Sequence, residues 1–362
     1  MSPKFETLKA LPNQQPLLAP EIQTIVTKAQ VSLERLNQLI CSLPNPKILI
    51  RPIIRKEAHS TAALEGLHTE YEQLIGNQMI DPKDLALIET RNFMIAAEAA
   101  IDDVMVGKKL GVKHIENIHK QLFDSIPKWE KSSGHLREEN VKIINAGGYE
   151  FFPMEHGPKL QAKLDELFDW FKKSNEWDPI VAIALFHYQF ESIHPFEDGN
   201  GRIGRLLSIL QLSQKGLLTF PVLDTSTWFK NKKLMYHGGF QKVRKNEDWN
   251  TFVGIFARAI MDSADTLIGE ISVLIKLQEA EKAKVRKAFR KHSRAVEVID
   301  YLMVENELTV QALSDELGIS YKSTNALVSK MVKLELLVQI GESIYERRFT
   351  NVPLLEYAKR GF

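Results

Sequence analysis

One stretch concentrates most of the residues that could do chemistry: His194-Pro195-Phe196-Glu197-Asp198-Gly199-Asn200-Gly201-Arg202-Ile203-Gly204-Arg205. Gly199, Asn200 and Gly201 can take backbone angles that aim successive N–H groups into one concavity. A helix beginning there adds its own unpaired N–H groups and its positive dipole end. Such a turn is a cradle for phosphate. Arg202 and Arg205, three apart, share a face of the first helical turn, where two guanidinium groups can clamp a polyphosphate in a way lysine cannot copy. Asp198, just before the cradle, can carry the divalent ion that accompanies a nucleoside triphosphate. His194 supplies the group that takes up a proton near neutral pH.

The flanking pattern says what must hold this loop in place. Ile180 to Ile193 reads as a helix apolar on nearly every side, started by Asp178 as N-cap and Pro179 at the first helical position, and a helix of that kind is buried. After the loop, Ile203, Leu206, Leu207, Ile209 and Leu210 recur at helical spacing. The loop therefore sits between two core helices and opens the second.

Taken singly, a Gly-x-Gly is usually a turn and a His at a helix end is usually a cap. The joint pattern is specific. It matches the His-Pro-Phe-x-[Asp/Glu]-Gly-Asn-Gly-Arg-x-x-Arg signature of the Fic family at every position, and the chain resembles that family from near its start to about residue 265. The resemblance implies transfer of AMP from ATP to a side-chain hydroxyl of a protein. It makes His194 the general base and Asp198 the Mg2+ ligand, and it lays the nucleotide along Gly199, Asn200, Gly201, Arg202, Ile203, Gly204 and Arg205. Family members that transfer phosphate carry Lys where this chain has Gly201, which favours AMP transfer. Tyr236 stands where the family places an aromatic near the adenine.

A second match lies at Ser60-Thr61-Ala62-Ala63-Leu64-Glu65-Gly66. It resembles the family's inhibitory motif, with Thr61, Glu65 and Gly66 in the defining places. Ile54 to Leu64 reads as a short helix that Gly66 can end, with Thr61 and Glu65 on one face a turn apart. The resemblance implies that Glu65 pairs with Arg205 and takes the partner of the γ-phosphate.

Composition is ordinary for a soluble globular protein: 362 residues, 44% hydrophobic, 26% charged, formal net charge +1. Nothing in that balance drives the whole chain to nucleic acid or membrane. A single cysteine, Cys41, excludes an internal disulfide and a thiolate metal cluster. No signal peptide is apparent at Met1-Ser2-Pro3-Lys4-Phe5 and no apolar run near the site approaches membrane length, so a cytoplasmic location is expected.

The chain order gives a mainly α architecture: a Fic-type helical bundle with a small β-hairpin flap, plus a C-terminal winged helix-turn-helix domain. Residues 1–110 form an N-terminal helical region carrying the inhibitory helix at about 54–66. Within it, a Pro- and Gln-rich arm over residues 1–20 wraps the surface, Glu21 to Leu43 is helical, and Asp81-Pro82 starts a helix to about Val106 with Leu85, Ile88, Phe93, Ile95 and Ala96 on its core stripe. Residues 111–270 form the catalytic core. It holds helices at Val112–Phe123, Leu160–Trp170, Trp228–Val243 and Trp249–Ile260, and a flap at 134–158 where Asn140–Asn145 and Tyr149–Phe152 flank Ala146-Gly147-Gly148. The resemblance makes this hairpin an edge that holds the target peptide by strand addition. Glu116-x-x-His119 and Glu191-x-x-His194 raise a di-metal alternative, opposed by Pro195, which breaks the helix a ligand would need.

Residues 271–292 are a helical linker; Lys276 to Arg294 holds eight Lys or Arg against two Glu. Residues 293–362 run helix, helix, Gly318 turn, helix and hairpin, the winged helix-turn-helix order. On DNA, Tyr321, Lys322, Ser323, Asn325 and Lys330 would face the major groove, with Arg347 and Arg348 against phosphate. Eight Lys or Arg against ten Asp or Glu from Ser293 to Phe362 make contact with protein, or with a second copy of the chain, as credible as contact with DNA. The leading reading is an ATP- and Mg2+-dependent protein adenylyltransferase restrained by Glu65. The alternatives are a DNA-binding regulator whose core senses nucleotide, and removal of AMP from a modified protein by the same site.

Overall fold

A computed structural model describes residues 8–43, 45–75, 80–144, 150–151, 153, 157–290, 293–341 and 347–359. Its elements run α1 (Pro20–Cys41), α2 (Ile50–Leu64), α3 (Leu85–Met105), α4 (Val112–Leu122), β1 (Ile143–Ile144), β2 (Glu150–Phe151), α5 (Pro158–Lys173), α6 (Pro179–Ile193) and α7 (Asn200–Gln214). They continue α8 (Ser226–Asn231), α9 (Lys233–Asn246), α10 (Trp249–Ala288), α11 (Ala295–Glu305), β3 (Leu308–Thr309), α12 (Val310–Leu317), α13 (Tyr321–Lys333), β4 (Val338–Ile340), β5 (Arg348–Thr350) and α14 (Val352–Lys359).

Helix α6 is the axis. Every residue from Ile180 to Phe190 is buried, as its all-round apolar sequence requires. Asp178 caps it, its Oδ1 accepting from the backbone N–H of Ile180 at 2.9 Å. Helices α5, α7 and α10 pack around it, and α1 lies along α10 through Val26, Ala29, Leu33, Leu36 and Ile40, all at most 1% exposed. The described part of the N-terminal arm, from residue 8, lies along the surface: the Trp170 indole donates to the carbonyl of Pro12 at 3.3 Å, and the N–H of Asp178 to Gln15 Oε1 at 2.6 Å.

Several sequence expectations shift. Helix α2 begins at Ile50 rather than Ile54, because Pro52 falls in the first turn, where its missing N–H is not needed. Helix α3 begins at Leu85, not at Pro82, because the Asp84 carboxylate accepts from Leu87 N at 3.1 Å and fixes the start there. Leu85 and Ile95, placed on the core stripe, are 39% and 59% exposed; Leu87, Ala97, Ala100 and Ile101 take the buried face instead. The helix expected over Trp228–Val243 breaks into α8 and α9 at Lys232, and α10 runs 40 residues, carrying what was read as a linker.

Strands β1 and β2 pair antiparallel, Ile143 with Phe151 and Ile144 with Glu150. The glycine turn expected between them lies outside the described residues. At the C-terminal end, β3, β5 and β4 form an antiparallel sheet in that order behind α11, α12 and α13. Asn351 Nδ2 donates to Glu281 of α10 at 2.9 Å and Tyr357 Oη to the carbonyl of Glu270 at 2.9 Å, so this end of the chain is docked on α10. Among the described residues no helix is long and apolar enough to cross a membrane.

Candidate active site

The loop between α6 and α7 is built by three local events. Pro195 cannot continue α6, and the residue before a proline is pushed out of helical geometry. His194 accordingly leaves the helix in the left-handed region, φ 53°, with its N–H still donating to Phe190 O at 3.0 Å. Gly199 then takes φ +80°, and a Cβ there would lie 3.0 Å from Leu122 and Phe123. Between them, Asn200 staples the loop: its Oδ1 accepts from Phe196 N and its Nδ2 donates to Phe196 O, both at 2.9 Å. The Asn200 side chain is therefore a structural clip, which leaves only its backbone for an anion. Phe196 is fully buried, with its ring stacked on His119 at 4.1 Å.

The His194 imidazole sits with Nδ1 3.3 Å from the carbonyl of Glu191. A carbonyl only accepts, so Nδ1 carries the proton and Nε2 keeps its lone pair. Burial pushes His194 down to about 4, with the positive Arg137 adding to it against the opposing Glu191 carbonyl, Glu65 and Asp198. At neutral pH the ring is uncharged and ready to accept a proton. Behind it, Arg137, 2% exposed and unremarked in the sequence reading, donates from Nε to His194 O at 2.8 Å.

Helix α7 starts without a side-chain cap of its own. Glu65, the residue that ends α2, lies there instead. Its Oε1 is 2.6 Å from Arg205 Nη2, and a Cβ on Gly201 would come within 2.2 Å of that same oxygen. A carboxylate thus lies against the first turn of α7, the place where orphan N–H groups and the helix dipole favour an anion. Thr61 Oγ1 accepts from Arg205 Nε at 2.9 Å, and Gly66, at φ +87°, lets α2 stop at this point. From α9, Lys233 Nζ donates to Leu64 O at 2.8 Å and fastens the same end. Burial opposes ionisation of Glu65, but the charge and hydrogen bond of Arg205, with Arg202 and His194 nearby, together hold its carboxyl below the ordinary value.

Arg202 is 2% exposed and paired with Glu89 of α3 at 2.8 Å, a partner no motif announces. Its Nε is buried with no hydrogen-bond partner among the described residues, an unspent donor beside the cradle. Asp198 Oδ1 accepts from Gly199 N at 2.6 Å, and the side chain is 43% exposed. The same oxygen accepts from Arg202 Nη2 at 3.4 Å, and an exposed carboxylate of this kind fits Mg2+, which keeps several waters and takes most of its remaining ligands from substrate phosphates. No three His, Cys, Asp or Glu side chains gather as metal ligands among the described residues, and His119, buried against Phe196, accepts from Gly134 N through Nδ1 at 2.8 Å. The two Glu-x-x-His pairs therefore do not assemble a di-metal centre.

Three residues expected at the nucleotide face the interior of the bundle. The Ile203 side chain is fully buried in the core. Gly204 faces inward: a Cβ there would meet Glu191 Oε1 at 2.3 Å, and burial raises Glu191 to about 8, so that carboxyl is protonated at neutral pH and does not compete as an anion. Tyr236 is 3% exposed, with its hydroxyl 2.6 Å from His187 Nε2 and its ring against Phe229 and Phe240. Its ring is enclosed by these partners. The resemblance to the family singled these residues out, and packing alone shows which way they face.

The fold and the loop define a mainly helical protein with an anion seat at the start of a buried helix and an uncharged imidazole beside it. Residues 24–102 match the Fic/DOC family N-terminal region and residues 109–212 match the Fic/DOC family. The chain belongs to the Fic/DOC family. It is similar to a protein adenylyltransferase Fic of Drosophila grimshawi, 25% identical over 266 residues that make up 70% of this chain and 52% of that protein. It is also similar to one of Nematostella vectensis, 26% identical over 219 residues, 58% of this chain and 49% of that protein. The chain thus spans about half the length of the curated relatives it matches. Among solved structures, a Fic family protein from Desulfovibrio desulfuricans G20 matches with a TM-score of 0.62 at 21% identity, over 94% of this chain and 98% of that one. Fic-1 of C. elegans matches at 0.54 and 20%, over 70% of this chain and 75% of that one. At those identities the likeness is one of fold.

Proposed function

We propose that this protein is an adenylyltransferase that moves AMP from ATP to a Ser, Thr or Tyr hydroxyl of a target protein, with Glu65 as its brake. The observation that carries the reading is the pairing of an uncharged His194, with Nε2 open, and an anion seat at the start of α7 that already holds a carboxylate. The target hydroxyl gives its proton to His194 Nε2 while its oxygen attacks the α-phosphorus. The bond from that phosphorus to the oxygen bridging to the β-phosphorus breaks, and pyrophosphate leaves. The backbone N–H groups of the α7 start and Arg202 Nε supply donors to the phosphate oxygens, and Arg205 takes the γ-phosphate once Glu65 has moved. Mg2+, when bound through Asp198, neutralises phosphate charge. The paired edge of β1 and β2 holds the target backbone by strand addition and leaves the choice of side chain loose.

For the C-terminal residues 293–362 we propose a winged helix unit that contacts protein. Arg347 donates to Asn325 Oδ1 at 3.1 Å, Arg348 pairs with Glu307 at 3.0 Å and Lys330 lies 4.5 Å over the Phe289 ring, so these groups of the DNA reading are engaged within the chain, while Tyr321 and Lys322 stay exposed for a partner. Intact-mass measurement of Glu65→Gly incubated with ATP and Mg2+ tests the main reading. Gain of AMP on the protein itself or on an added lysate target, lost in Glu65→Gly with His194→Ala, is the expected result. No transfer, with ATP bound, refutes it.

A further inference from the structure

The left-handed turn at His194 needs support, because a non-glycine residue pays for that geometry and the last carbonyls of α6 lack helical partners. Arg137 provides both. It lies between α4 and β1 and is 2% exposed. Its Nε donates to His194 O at 2.8 Å and its Nη2 to Ile193 O at 3.5 Å, so one fork covers the end of α6 on both sides of the turn. Its Nη1 donates to Glu139 O at 3.0 Å, in the segment leading to β1, and its own N–H donates to Pro195 O at 2.9 Å.

We infer that Arg137 is a positioning residue for the transfer proposed above. Its guanidinium fixes the turn that carries the His194 imidazole out of α6 and ties that turn to the root of the β1–β2 hairpin where the target would dock. The inference rests on His194 acting as the base. A planar fork reaching three carbonyls in different directions is a demand that lysine, with one ammonium centre, does not meet. The placement has an electrical side as well. Three charged side chains act on His194: Arg137 from behind, Glu65 at the end of α2 and Asp198 of the loop, while Glu191 of α6 reaches it through its backbone carbonyl. Burial does most to keep the ring uncharged, and Arg137 is the positive charge among them that works in the same direction.

The experiment compares Arg137→Lys and Arg137→Met in the full-length Glu65→Gly protein, with thermal melts to confirm folding. Three quantities are read: kcat for AMP transfer, KM for ATP, and the His194 titration by NMR on 13C-labelled histidine, assigned by the signal that His194→Ala removes. Arg137→Lys is expected to lower kcat by about 100-fold, the usual penalty for moving a reacting group by about an ångström, with KM for ATP and the His194 titration unchanged. Arg137→Met is expected to lower kcat at least as far and to move the His194 titration up by roughly one pH unit. Unchanged kcat in both variants, or a KM for ATP that rises in step with the loss, overturns the inference. If Glu65→Gly itself transfers no AMP, the proposed function falls. The His194 titration and backbone shifts then still decide whether Arg137 holds that residue: no change in either sinks the positioning role.

Discussion

The two central helices begin in opposite ways. Helix α6 is capped from next door: Asp178 accepts from Ile180 N and Val181 N, Pro179 presets the first turn, and nothing is left over to bind. Helix α7 starts as deep in the protein, from a left-handed glycine with no side-chain cap, and the acid at its first turn comes from Glu65, 140 residues before its partner Arg205. A cap supplied by a neighbour in sequence is permanent. One supplied by another helix can be withdrawn, and the seat it vacates is open to a phosphate of the same charge.

The largest test of this contrast is at the mouth of the α7 seat. His194→Ala is expected to remove AMP transfer by about 10²–10⁴-fold without loss of ATP binding to the Glu65→Gly protein, measured by calorimetry beside a labelled-ATP assay. Next, Glu65→Gly should raise transfer by roughly 5–150-fold over wild type, the span of ordinary coupling free energies; equal rates would show that the borrowed acid is not a brake. Gly201→Ala in the Glu65→Gly protein should lower transfer by less than His194→Ala does. The added Cβ would stand where the Glu65 carboxylate now lies and 2.9 Å from Arg205 Nη1, so it crowds the seat a phosphate needs.

A smaller effect reads the Glu65–Arg205 pair through pH. The Glu65 carboxyl is held below its ordinary value, so the pair's contribution is fully present above that ordinary value and is lost as pH falls through the depressed one. The melting difference between wild type and Glu65→Gln should therefore be largest at neutral pH and shrink as the pH falls below the ordinary carboxylate range. The smallest change belongs to α6: Asp178→Ala should cost about 1 kcal/mol in denaturant melts and leave AMP transfer untouched, since its carboxylate holds the start of α6 and Gln30 of α1, at the end of α6 opposite His194.

Much of the site was legible because it is local. A proline after His194, a glycine that permits φ +80° at position 199 and an acid before Pro179 act on their neighbours within a turn. Glu65 was legible for a different reason, through a motif that resembles others. Glu89 and Arg137 carry no such mark. Each is an ordinary charged residue in its own segment, and each matters through a partner far along the chain, Glu89 by pairing with Arg202 and Arg137 by reaching the carbonyls of Ile193 and His194. Tyr236 and Gly204 show the converse: a family motif marks their positions, and packing turns them inward.

Taken alone, the order of residues put an imidazole, a glycine turn and two guanidinium groups on one stretch between two core helices, and its motifs resemble those of the Fic family. The placement follows from spacing within one or two turns. Tertiary structure alone decided which charges are already spent, on Glu89 and Glu65, which aromatic is sealed in the core, and what stands behind the imidazole. Those outcomes depend on how α2, α3 and the segment before β1 pack against α6 and α7, and packing sums many weak contacts that no local pattern encodes.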